Sequence, residues 1–567
     1  MKKLLTLSLL TTTLFAQDYE RIKPKEPTEF QGEPGITYPS TEDSHLVPNG
    51  NALILPELKG VILTDKKRHF TEEEAARAIG GAETINIQVP GTIKHFDAML
   101  KNNFLARPLT KQKLVDLKLE VINYYRRWGR PVVTVEIPEQ KITNGVLEIL
   151  VIEGKLGKVT VEGNKYFKDQ RLIDYIRLEE RGAIDSNILV TDLSWINRNP
   201  FRQVDVIYEP GELAGTTNIR LLAQDRRPYR FYAGVDNTGY DETENTRIFV
   251  GANWGNVFGL DHILSIQLTS APKIDRFWAI TGHYTIPLFW RDIWTFYGGY
   301  SHVHGNMKKH RGADNSGYSA QASTRYSWIL TPRPGYLHDA IFGFDYKRTD
   351  NNIESGGESA YRHSVNLTQL VVGYNGGYTN DIFSASLTTE LFYSPGPWLG
   401  EQNYCDVRFK AKSSYIYGRM TFVPIIRLPK DFSFAMTFRG QASSQNLLPS
   451  EQAGLGGYDS VRGYKEREVN VDNAFLASAE IRSTPLSFIG KKSFKDMLQF
   501  LVFLDYAMGC DVRTEKHTPK THYLLSTGPG IRYEIAPYLS FRGDFGFQLK
   551  KLDSRGFRFH FSLVGSY

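Results

Sequence analysis

The chain ends with the stretch Phe557-Arg558-Phe559-His560-Phe561-Ser562-Leu563-Val564-Gly565-Ser566-Tyr567, which decides the fold of its larger part. Three phenylalanines, a leucine and the final tyrosine alternate with arginine, histidine and serine. Successive side chains of a β-strand point to opposite faces, so one face of this strand is apolar and the other is polar. Segments of about ten residues with this pattern are typical of strands that cross a membrane within a closed barrel.

The same alternation extends back to Pro228, as in Tyr229–Val235, and is interrupted by Gly, Asn and Asp. At roughly 20 residues per strand and connection, residues 227–567 predict an antiparallel transmembrane β-barrel of about 16 strands. An even number of strands returns the C-terminus to the periplasm. A large soluble β-sandwich or propeller is the alternative, which the long strands and the aromatic C-terminal strand disfavour.

Two small α/β domains precede the barrel. Residues 55–155 and 156–226 each follow the order β-α-α-β-β, so the predicted fold is mostly β with two α/β domains before the barrel. In the first domain, Thr71 and Glu74 have the spacing of a capping box at a helix start. Asn144-Gly145 predicts the turn of a hairpin between its last two strands.

The N-terminus has the features of a secretory signal peptide over residues 1–16. Met1-Lys2-Lys3 is basic, Leu4–Phe15 is mostly apolar, and cleavage is expected after Ala16. Residues 17–54 are rich in Pro, Glu, Ser and Gly and predict an extended leader or linker, with too many prolines for a helix that plugs a pore. After Ala16 no run approaches the ~18 apolar residues of a spanning helix.

Composition and motifs exclude several classes of function. The formal charge of +6 is small for 567 residues, and acidic and basic residues are interspersed, which does not favour a nucleic-acid partner. Cys405 and Cys510 lack the spacing of metal ligands; they are either unpaired thiols or a disulfide between extracellular loops. No metalloprotease, nucleophile-elbow or phosphate-loop motif is present, so we predict no enzyme, catalytic residue, metal or cofactor.

The most specific motif is Leu455-Gly456-Gly457-Tyr458-Asp459-Ser460-Val461-Arg462-Gly463-Tyr464. With the two N-terminal α/β domains, it resembles the outer-membrane transporters of two-partner secretion (the TpsB type, haemolysin or haemagglutinin secretion-activation proteins), a branch of the outer-membrane insertase superfamily. That family carries Val-Arg-Gly-Tyr at the tip of the sixth extracellular loop, after a Gly-Gly pair and a Ser. The resemblance thus marks a loop motif formed by Gly456, Gly457, Ser460, Val461, Arg462, Gly463 and Tyr464, and identifies the α/β domains as POTRA (polypeptide-transport-associated) domains.

A second family motif, Phe-x-Asp-x-Gly, corresponds to Phe503 and Asp505, with Ala507 in the place of the glycine. Asp505 can avoid lipid only by facing the barrel lumen, which directs Phe503 and Ala507 inward too. An arginine from an inward-folded loop is the natural partner of a lumenal carboxylate, and Arg462 is the candidate. The alternative is that Arg462 lies in a solvated outer loop and Asp505 faces water.

The resemblance implies a transporter in the outer membrane of a Gram-negative bacterium, with its POTRA domains in the periplasm and a monomeric barrel in contact with lipid. The implied partner is a large secreted exoprotein of the β-helical TpsA type, which arrives unfolded and passes through the barrel. We expect it to add a strand to an exposed sheet edge. The candidate edge residues are Val133 and Val135 in the first domain and Val204 and Val206 in the second.

Two other functions remain open at this level. An assembly factor or insertase for other barrels would share the superfamily's barrel, but two periplasmic domains and the loop motif fit the transporter better. A passive porin would have no use for the periplasmic domains.

Overall fold

A computed structural model describes residues 19–27, 35–37, 48–68, 70–140, 142, 144–307, 313–331, 333, 335–355, 358–396, 404–489, 496–515, 519–552 and 556–567. The predicted signal peptide and much of the predicted leader lie outside these residues. The chain divides into two compact units. One consists of Glu29–Arg227, and the other combines the N-terminal segment with everything from Pro228 onward. Among the described residues, no helix is both long and apolar enough to span a membrane.

The leader contains two short elements in its described part, α1 (Tyr19–Ile22) and β1 (Ile36–Thr37). The sequence predicted no helix here, whereas the structure has one helical turn. Pro24 follows that turn closely, and proline cannot continue a helix because it lacks a backbone N–H. The prolines therefore limit the helix to one turn rather than preventing it.

The first α/β domain contains a four-stranded sheet covered by helices. Its elements are β2 (Leu53–Leu55), β3 (Gly60–Thr64), α2 (Glu72–Ala78), β4 (Ala82–Ile85), α3 (Ile93–Asn103), β5 (Leu109–Thr110), α4 (Lys111–Arg127), β6 (Val133–Glu136) and β7 (Val146–Glu153). The sheet order is β4-β3-β7-β6, which places β6 at an edge. The predicted capping box is confirmed, since Thr71 accepts from the Glu74 backbone N–H and Glu74 accepts from that of Thr71. This hydrogen bond from Thr71 lowers the pKa of the Glu74 carboxyl.

This domain has more elements than the predicted β-α-α-β-β order. Strand β4 and helix α3 were not predicted. Helix α3 has only two fully buried side chains, Phe96 and Leu100, which lie one turn apart and pack into the domain core with Leu117 and Tyr125. Ile93, Phe96 and Leu100 have helical spacing, and Met99 packs partly against the same core, so the missed helix is amphipathic.

The second α/β domain follows the predicted order. Its elements are β8 (Lys155–Glu162), α5 (Asp169–Ile173), α6 (Ser186–Ile196), β9 (Arg202–Pro210) and β10 (Thr216–Asp225). The sheet order is β1-β9-β10-β8. Its outer strand is therefore β1, which comes from the leader.

The rest of the chain forms a closed barrel of 16 strands, as predicted. Its elements are β11 (Tyr229–Asp236), β12 (Arg247–Val257), β13 (His262–Ser270), β14 (Phe277–Pro287), β15 (Ile293–Met307), β16 (Ala313–Ile329), β17 (Tyr336–Ser355), β18 (Glu358–Thr379), β19 (Phe383–Pro395), α7 (Tyr404–Val407), β20 (Ser414–Arg427), β21 (Ser433–Ser443), β22 (Ala453–Leu455), β23 (Val469–Val471), β24 (Asn473–Arg482), β25 (Asp496–Cys510), β26 (Thr521–Ile535), β27 (Leu539–Gln548) and β28 (Phe557–Ser566). The wall consists of β11–β21 and β24–β28, and β28 pairs with β11 to close it. Strands β22 and β23 form a separate hairpin.

Along the barrel strands, side chains alternate between the outer surface and the lumen, as the sequence predicted. On β25, Phe500, Val502 and Leu504 are about half exposed on the outer surface. Phe503 and Asp505 are almost completely buried toward the inside. An apolar outer surface suits lipid, while the inward side chains meet the segments that fill the lumen.

Candidate functional site

The sixth extracellular loop, residues 444–472 between β21 and β24, folds into the barrel. The hairpin of β22 and β23 lies at its base, and the motif Leu455–Tyr464 forms its tip. Val461 and Tyr464 are fully buried in an apolar cluster that also contains Ala507 and Leu524 from the wall. The loop thus has its own packed contact with the inner surface of strands β25 and β26.

Arg462 and Asp505 come together at the tip of this loop. The guanidinium donates to both carboxylate oxygens, with Nε 2.8 Å from Oδ2 and Nη2 2.7 Å from Oδ1. The backbone N–H of Arg462 donates to Oδ2 as well, at 3.0 Å. Two parallel charge-assisted bonds fix the orientation of both groups, which a single contact would not do. Of the two arrangements that the sequence left open, the structure has the paired one.

Further partners complete the surroundings of Arg462. Its Nη1 donates to Glu480 Oε1 at 2.6 Å, and its Nη2 donates to Ser478 Oγ at 3.2 Å. Ser478 in turn donates to Asp505 Oδ1 at 2.6 Å, because the two residues are direct neighbours in the register of β24 and β25. The guanidinium carbon lies 3.5 Å from the centre of the Phe503 ring, within range of a cation–π interaction. The two wall residues of the predicted motif thus both contact Arg462.

The charges around Arg462 form a larger network. Asp544 lies 3.6 Å from the Arg462 guanidinium and accepts from Arg532 and Arg542, each at 2.8 Å. Arg482 donates to Glu480 at 2.7 Å. Removing one partner from a buried network leaves the remaining charges without compensation, which is more costly than the net gain from the pair. Arg462 neighbours three carboxylates, so its loss removes one cation from all three.

Gly463 allows the loop to approach the wall closely. Its φ is +93°, and a Cβ at this position would lie 2.8 Å from the backbone of Gly546 on β27. Its N–H donates to His560 Nε2 at 3.1 Å, and its carbonyl accepts from Gln548 Nε2 at 2.8 Å. Only glycine can adopt this backbone conformation and also let the backbone of the loop lie this close to the backbone of β27.

The other motif residues shape the loop. Gly456 and Gly457 have φ values of +100° and +108°. Ser460 Oγ accepts from the Gly456 N–H at 3.1 Å, which closes the turn between the glycine pair and Arg462. The Tyr464 hydroxyl donates to the carbonyl of Lys550 at 2.6 Å. The structure therefore assigns a contact to every residue of the predicted motif.

A second anchor of the loop escaped the sequence analysis. Glu451, fully buried at the base of the loop, accepts from Lys347 Nζ on β17 at 2.8 Å and from the Tyr417 hydroxyl on β20 at 2.6 Å. Gln369 Nε2 on β18 donates to the same carboxylate at 3.1 Å. Its partners are more than 30 residues away in sequence, and a single glutamate in a polar loop gives no signal of burial.

The N-terminal segment also lies inside the barrel. The Tyr19 hydroxyl donates to the Gly282 carbonyl at 3.1 Å, and the Ile22 carbonyl accepts from Thr281 Oγ1 at 2.8 Å. Arg21 donates to the Thr238 carbonyl and forms an ion pair with Glu466 of the sixth loop. Residues 19–27 are thus bound to the inner wall and to the loop, whereas the sequence predicted only an extended leader.

The two predicted docking edges differ in the structure. On β6, the carbonyl of Val132 accepts from the Gly154 N–H at 2.9 Å, so the alternation of the antiparallel ladder directs the N–H groups of Val133 and Val135 away from β7. Among the described residues no strand pairs with that side of β6.

On β9 the prediction of an exposed edge was wrong. The Val206 N–H donates to the Gly35 carbonyl at 3.0 Å, because β1 covers the edge. The Val204 N–H donates to Asn197 Oδ1 at 2.7 Å, and the Val204 carbonyl accepts from Asn197 Nδ2 at 3.0 Å. The sequence indicated a strand but could not show that a distant segment and a side chain would bind to its edge.

Cys405 and Cys510 are free thiols. Within the described part of the chain, no cluster of His, Cys, Asp or Glu could hold a metal ion.

The geometry of the site agrees with the comparison to known families. A family model described as haemolysin secretion/activation protein ShlB/FhaC/HecB matches residues 215–533, which include most of the barrel and the whole sixth loop. The chain belongs to this family. The haemolysin secretion/activation proteins are the outer-membrane transporters of two-partner secretion, as the loop motif indicated.

Curated relatives and solved structures agree with this membership. The heme/hemopexin transporter protein HuxB of Haemophilus influenzae is 22% identical over 459 residues, covering 76% of this chain and 77% of HuxB. The outer membrane transporter CdiB of Dickeya dadantii is 22% identical over 394 residues, covering 65% of this chain and 66% of CdiB. The solved structure of CdiB from Escherichia coli aligns with a TM-score of 0.71 at 16% identity, covering 93% of this chain and 92% of that one, which shows a shared fold. These relatives are transporters, a non-enzymatic family.

Proposed function

We propose that this outer-membrane protein binds an unfolded exoprotein in the periplasm and moves it through the barrel to the cell surface. The observation that carries the proposal is the sixth loop, held inside a closed 16-strand barrel by the bonds between Arg462 and Asp505. A loop of this kind in the lumen controls whether a polypeptide can pass. The names of HuxB and CdiB, both called transporters, support the same function.

The first docking site is the free edge of β6. An unfolded chain carries unpaired backbone groups, and an edge strand offers the matching donors and acceptors. The outward N–H groups of Val133 and Val135 supply them here, while the Val135 side chain points into the domain core and holds the strand in place. Binding through backbone groups suits a cargo that arrives unfolded, because it depends little on the cargo's side chains.

Passage requires rearrangement inside the barrel. The sixth loop and residues 19–27 both bind to the inner wall, and they are bound to each other through Arg21 and Glu466. The sequence contains no phosphate-binding loop, so folding of the exoprotein outside the cell supplies the direction of transport. The cargo is a large exported protein with an N-terminal secretion domain, and the POTRA domains stand in the periplasm to receive it.

The test is deletion of the gene, followed by complementation with the wild-type chain and with the Arg462→Ala variant. We expect one or a few large proteins to disappear from the cell surface or the medium and to return with the wild-type chain. The abundance of other outer-membrane barrels should not change, which mass spectrometry of outer-membrane fractions measures. A broad loss of barrels would instead favour an assembly factor or insertase and would refute the transporter.

A further inference from the structure

A groove of about 660 Å³ lies in the barrel wall where β18, β19, β20 and β21 run side by side. Gly418 on β20 and Gly440 on β21 form part of its floor. Leu391 and Met420 border it, and their side chains are about half exposed on the outer surface. A Cβ added at Gly418 would lie 3.8 Å from Leu391 Cδ1, and one added at Gly440 would meet no atom within 4 Å. The groove therefore opens outward, on the surface that faces lipid.

The groove lies in the extracellular half of the wall. Gly440 and Ala442, which also lines the groove, are among the last four residues of β21 before the sixth loop. Gly418 is the fifth residue of β20, which begins at the extracellular side. A ligand in this groove is therefore level with the outer leaflet, which in a Gram-negative outer membrane consists of lipopolysaccharide.

Two lysines lie beyond the extracellular end of the groove, in the segment that leads into β20. Lys410 and Lys412 are both exposed, whereas Ala411 between them is buried. Lys412 precedes Gly418 by six residues, which is about 20 Å of extended chain. An extended acyl chain can span this distance, so one lipid molecule can contact both the lysines and the groove.

The surroundings of these lysines suit an anion at a membrane surface. Lys410 Nζ lies 5.2 Å from the centre of the partly exposed Phe409 ring. Aromatic rings are enriched where the apolar part of a membrane meets its polar headgroups. Asp406 is the acidic residue in the described part of this loop, residues 404–413, and Arg408 already binds Asp472. The two lysines therefore leave an excess of positive charge, which attracts phosphate.

The inner side of the same stretch of wall holds the sixth loop. Arg419 and Gln441 alternate with the groove residues and point into the lumen, where each donates to the Glu451 carbonyl at 3.1 Å. Gln441 also donates to the Asp472 carbonyl at 3.0 Å. A lipid chain in the groove thus packs against the backbone of residues that anchor the base of the loop.

We propose that this groove binds one acyl chain of lipopolysaccharide, and that Lys410 and Lys412 bind a phosphate of its lipid A part. The groove supplies an apolar surface in the outer-leaflet half of the wall, and the lysines supply the complementary charge at its extracellular end. Missing side chains on the floor give an acyl chain more atoms to contact than a flat wall does. The proposal depends on the location in the outer membrane and not on the transport of an exoprotein.

Filling the groove tests the acyl-chain contact. Gly418→Leu places a side chain in the groove, where its Cβ makes only ordinary contacts, so we expect the barrel to fold. Gly565→Leu on β28 is the matched control, because a Cβ there has no atom within 4 Å and the position lies outside the groove. In native mass spectrometry of full-length chains titrated with bisphosphorylated lipid A, Gly418→Leu should bind about tenfold more weakly than the control, as two buried CH₂ groups contribute that much.

A second variant guards against misfolding. Ala442→Leu fills the same groove from β21 and should weaken lipid A binding in the same way. Heat-modifiable gel mobility checks that each barrel is folded. Absence of lipid A binding by the wild type, or equal binding by the folded groove variants and Gly565→Leu, would overturn the site.

Removing the two lysines tests the phosphate contact. We expect the double variant Lys410→Ala/Lys412→Ala to bind lipid A about fivefold more weakly for each lysine removed. The double variant Lys410→Arg/Lys412→Arg keeps the charge and should bind like the wild type. Equal binding by the alanine and arginine variants would overturn the role of the lysines.

Other occupants give different results in the same assays. Inorganic phosphate in excess, at constant ionic strength, should not displace lipid A, because it lacks an acyl chain; displacement would mean a site for free phosphate. Binding of phosphatidylglycerol as tight as that of lipid A would refute lipopolysaccharide as the ligand. A dimer of the wild type that Gly418→Leu dissociates, measured by light scattering, would make a second copy of the chain the occupant and would also overturn the proposal.

Discussion

Arg462 joins the sixth loop to the barrel wall through one side chain. It contacts Asp505 and Glu480 through charge-assisted hydrogen bonds and lies over the Phe503 ring. A lysine could place a charge in the same region, but it could not form the paired bonds of the planar guanidinium. The identity of the residue, and not only its charge, is therefore what the site requires.

Arg462→Ala should lower secretion sharply while the barrel still inserts. Each charge-assisted hydrogen bond contributes about 1.5–3 kcal/mol, and the substitution leaves three carboxylates near an empty position. Asp505→Ala should be milder, because Glu480 still binds the arginine. The double variant should be little worse than Arg462→Ala, which a double-mutant cycle measures from secretion assays and heat-modifiable gel mobility.

Arg427→Ala is the matched control, since Arg427 donates to the carbonyls of Asn380 and Asp381 at a distant turn. It should secrete normally. Fully additive losses for Arg462 and Asp505 would mean that the two residues act separately, contrary to the loop anchor described above.

Gly463→Ala should detach the loop tip. The added Cβ would meet the backbone of Gly546 at 2.8 Å, and a non-glycine residue at φ +93° is strained by about 1–3 kcal/mol. Gly440→Ala on β21 is the control, because a Cβ there has no atom within 4 Å. We expect faster proteolysis of the loop and lower secretion for Gly463→Ala alone. Equal behaviour of the two variants would show that the close approach has no role.

At the scale of elements, β6 is an edge strand whose outer side pairs with no other strand among the described residues. Its outward N–H groups alternate along the strand with N–H groups that are bonded to β7. A single substitution can therefore remove an outward donor without removing a hydrogen bond to β7. On β9 the leader strand β1 covers part of the edge. The two α/β domains thus differ in which sheet edge is covered, although each has a four-stranded sheet.

Val133→Pro should weaken binding of the cargo's N-terminal domain to the purified full-length chain. Proline removes an outward donor, and it is tolerated on edge strands because no ladder bond within the sheet is lost. Val133→Ala is the control, as it shortens the same side chain and keeps the donor. Equal affinities for the two variants, measured by titration, would rule out strand addition through this position.

On the scale of the whole molecule, the barrel lumen is occupied by two segments from distant parts of the sequence. Residues 19–27 bind strands near the start of the barrel, and the sixth loop binds strands in its middle and near its end. The ion pair of Arg21 with Glu466 joins them. The two segments are therefore linked inside the barrel, and weakening one should loosen the other.

Arg21→Ala should raise the ion conductance of the barrel in planar lipid bilayers. The substitution removes the ion pair with the loop and the bond to the Thr238 carbonyl, so the N-terminal segment should leave the wall more often. Glu20→Ala is the control, because its side chain is 60% exposed. Identical conductance of the wild type and both variants would mean that residues 19–27 do not limit the resting pore.

The barrel followed from the sequence because it depends on local periodicity, whereas the loop and wall motifs followed from the resemblance to a known family. Alternating side chains determine which face of β25 meets lipid, and this alternation alone predicts that Phe503 and Asp505 face the lumen. Sixteen strands followed from the length and the strand spacing. The element order of the second α/β domain also followed, since its strands β9 and β10 alternate with a period of two.

Only the tertiary structure decided which distant groups meet. The Glu451 anchor, the ion pair of Arg21 with Glu466 and the leader strand on β9 each join segments that give little signal alone. Ion pairs and short strands are stable only when the rest of the fold has already brought their partners together and excluded water. A sequence pattern records the periodicity of one segment, whereas these contacts depend on the positions of two.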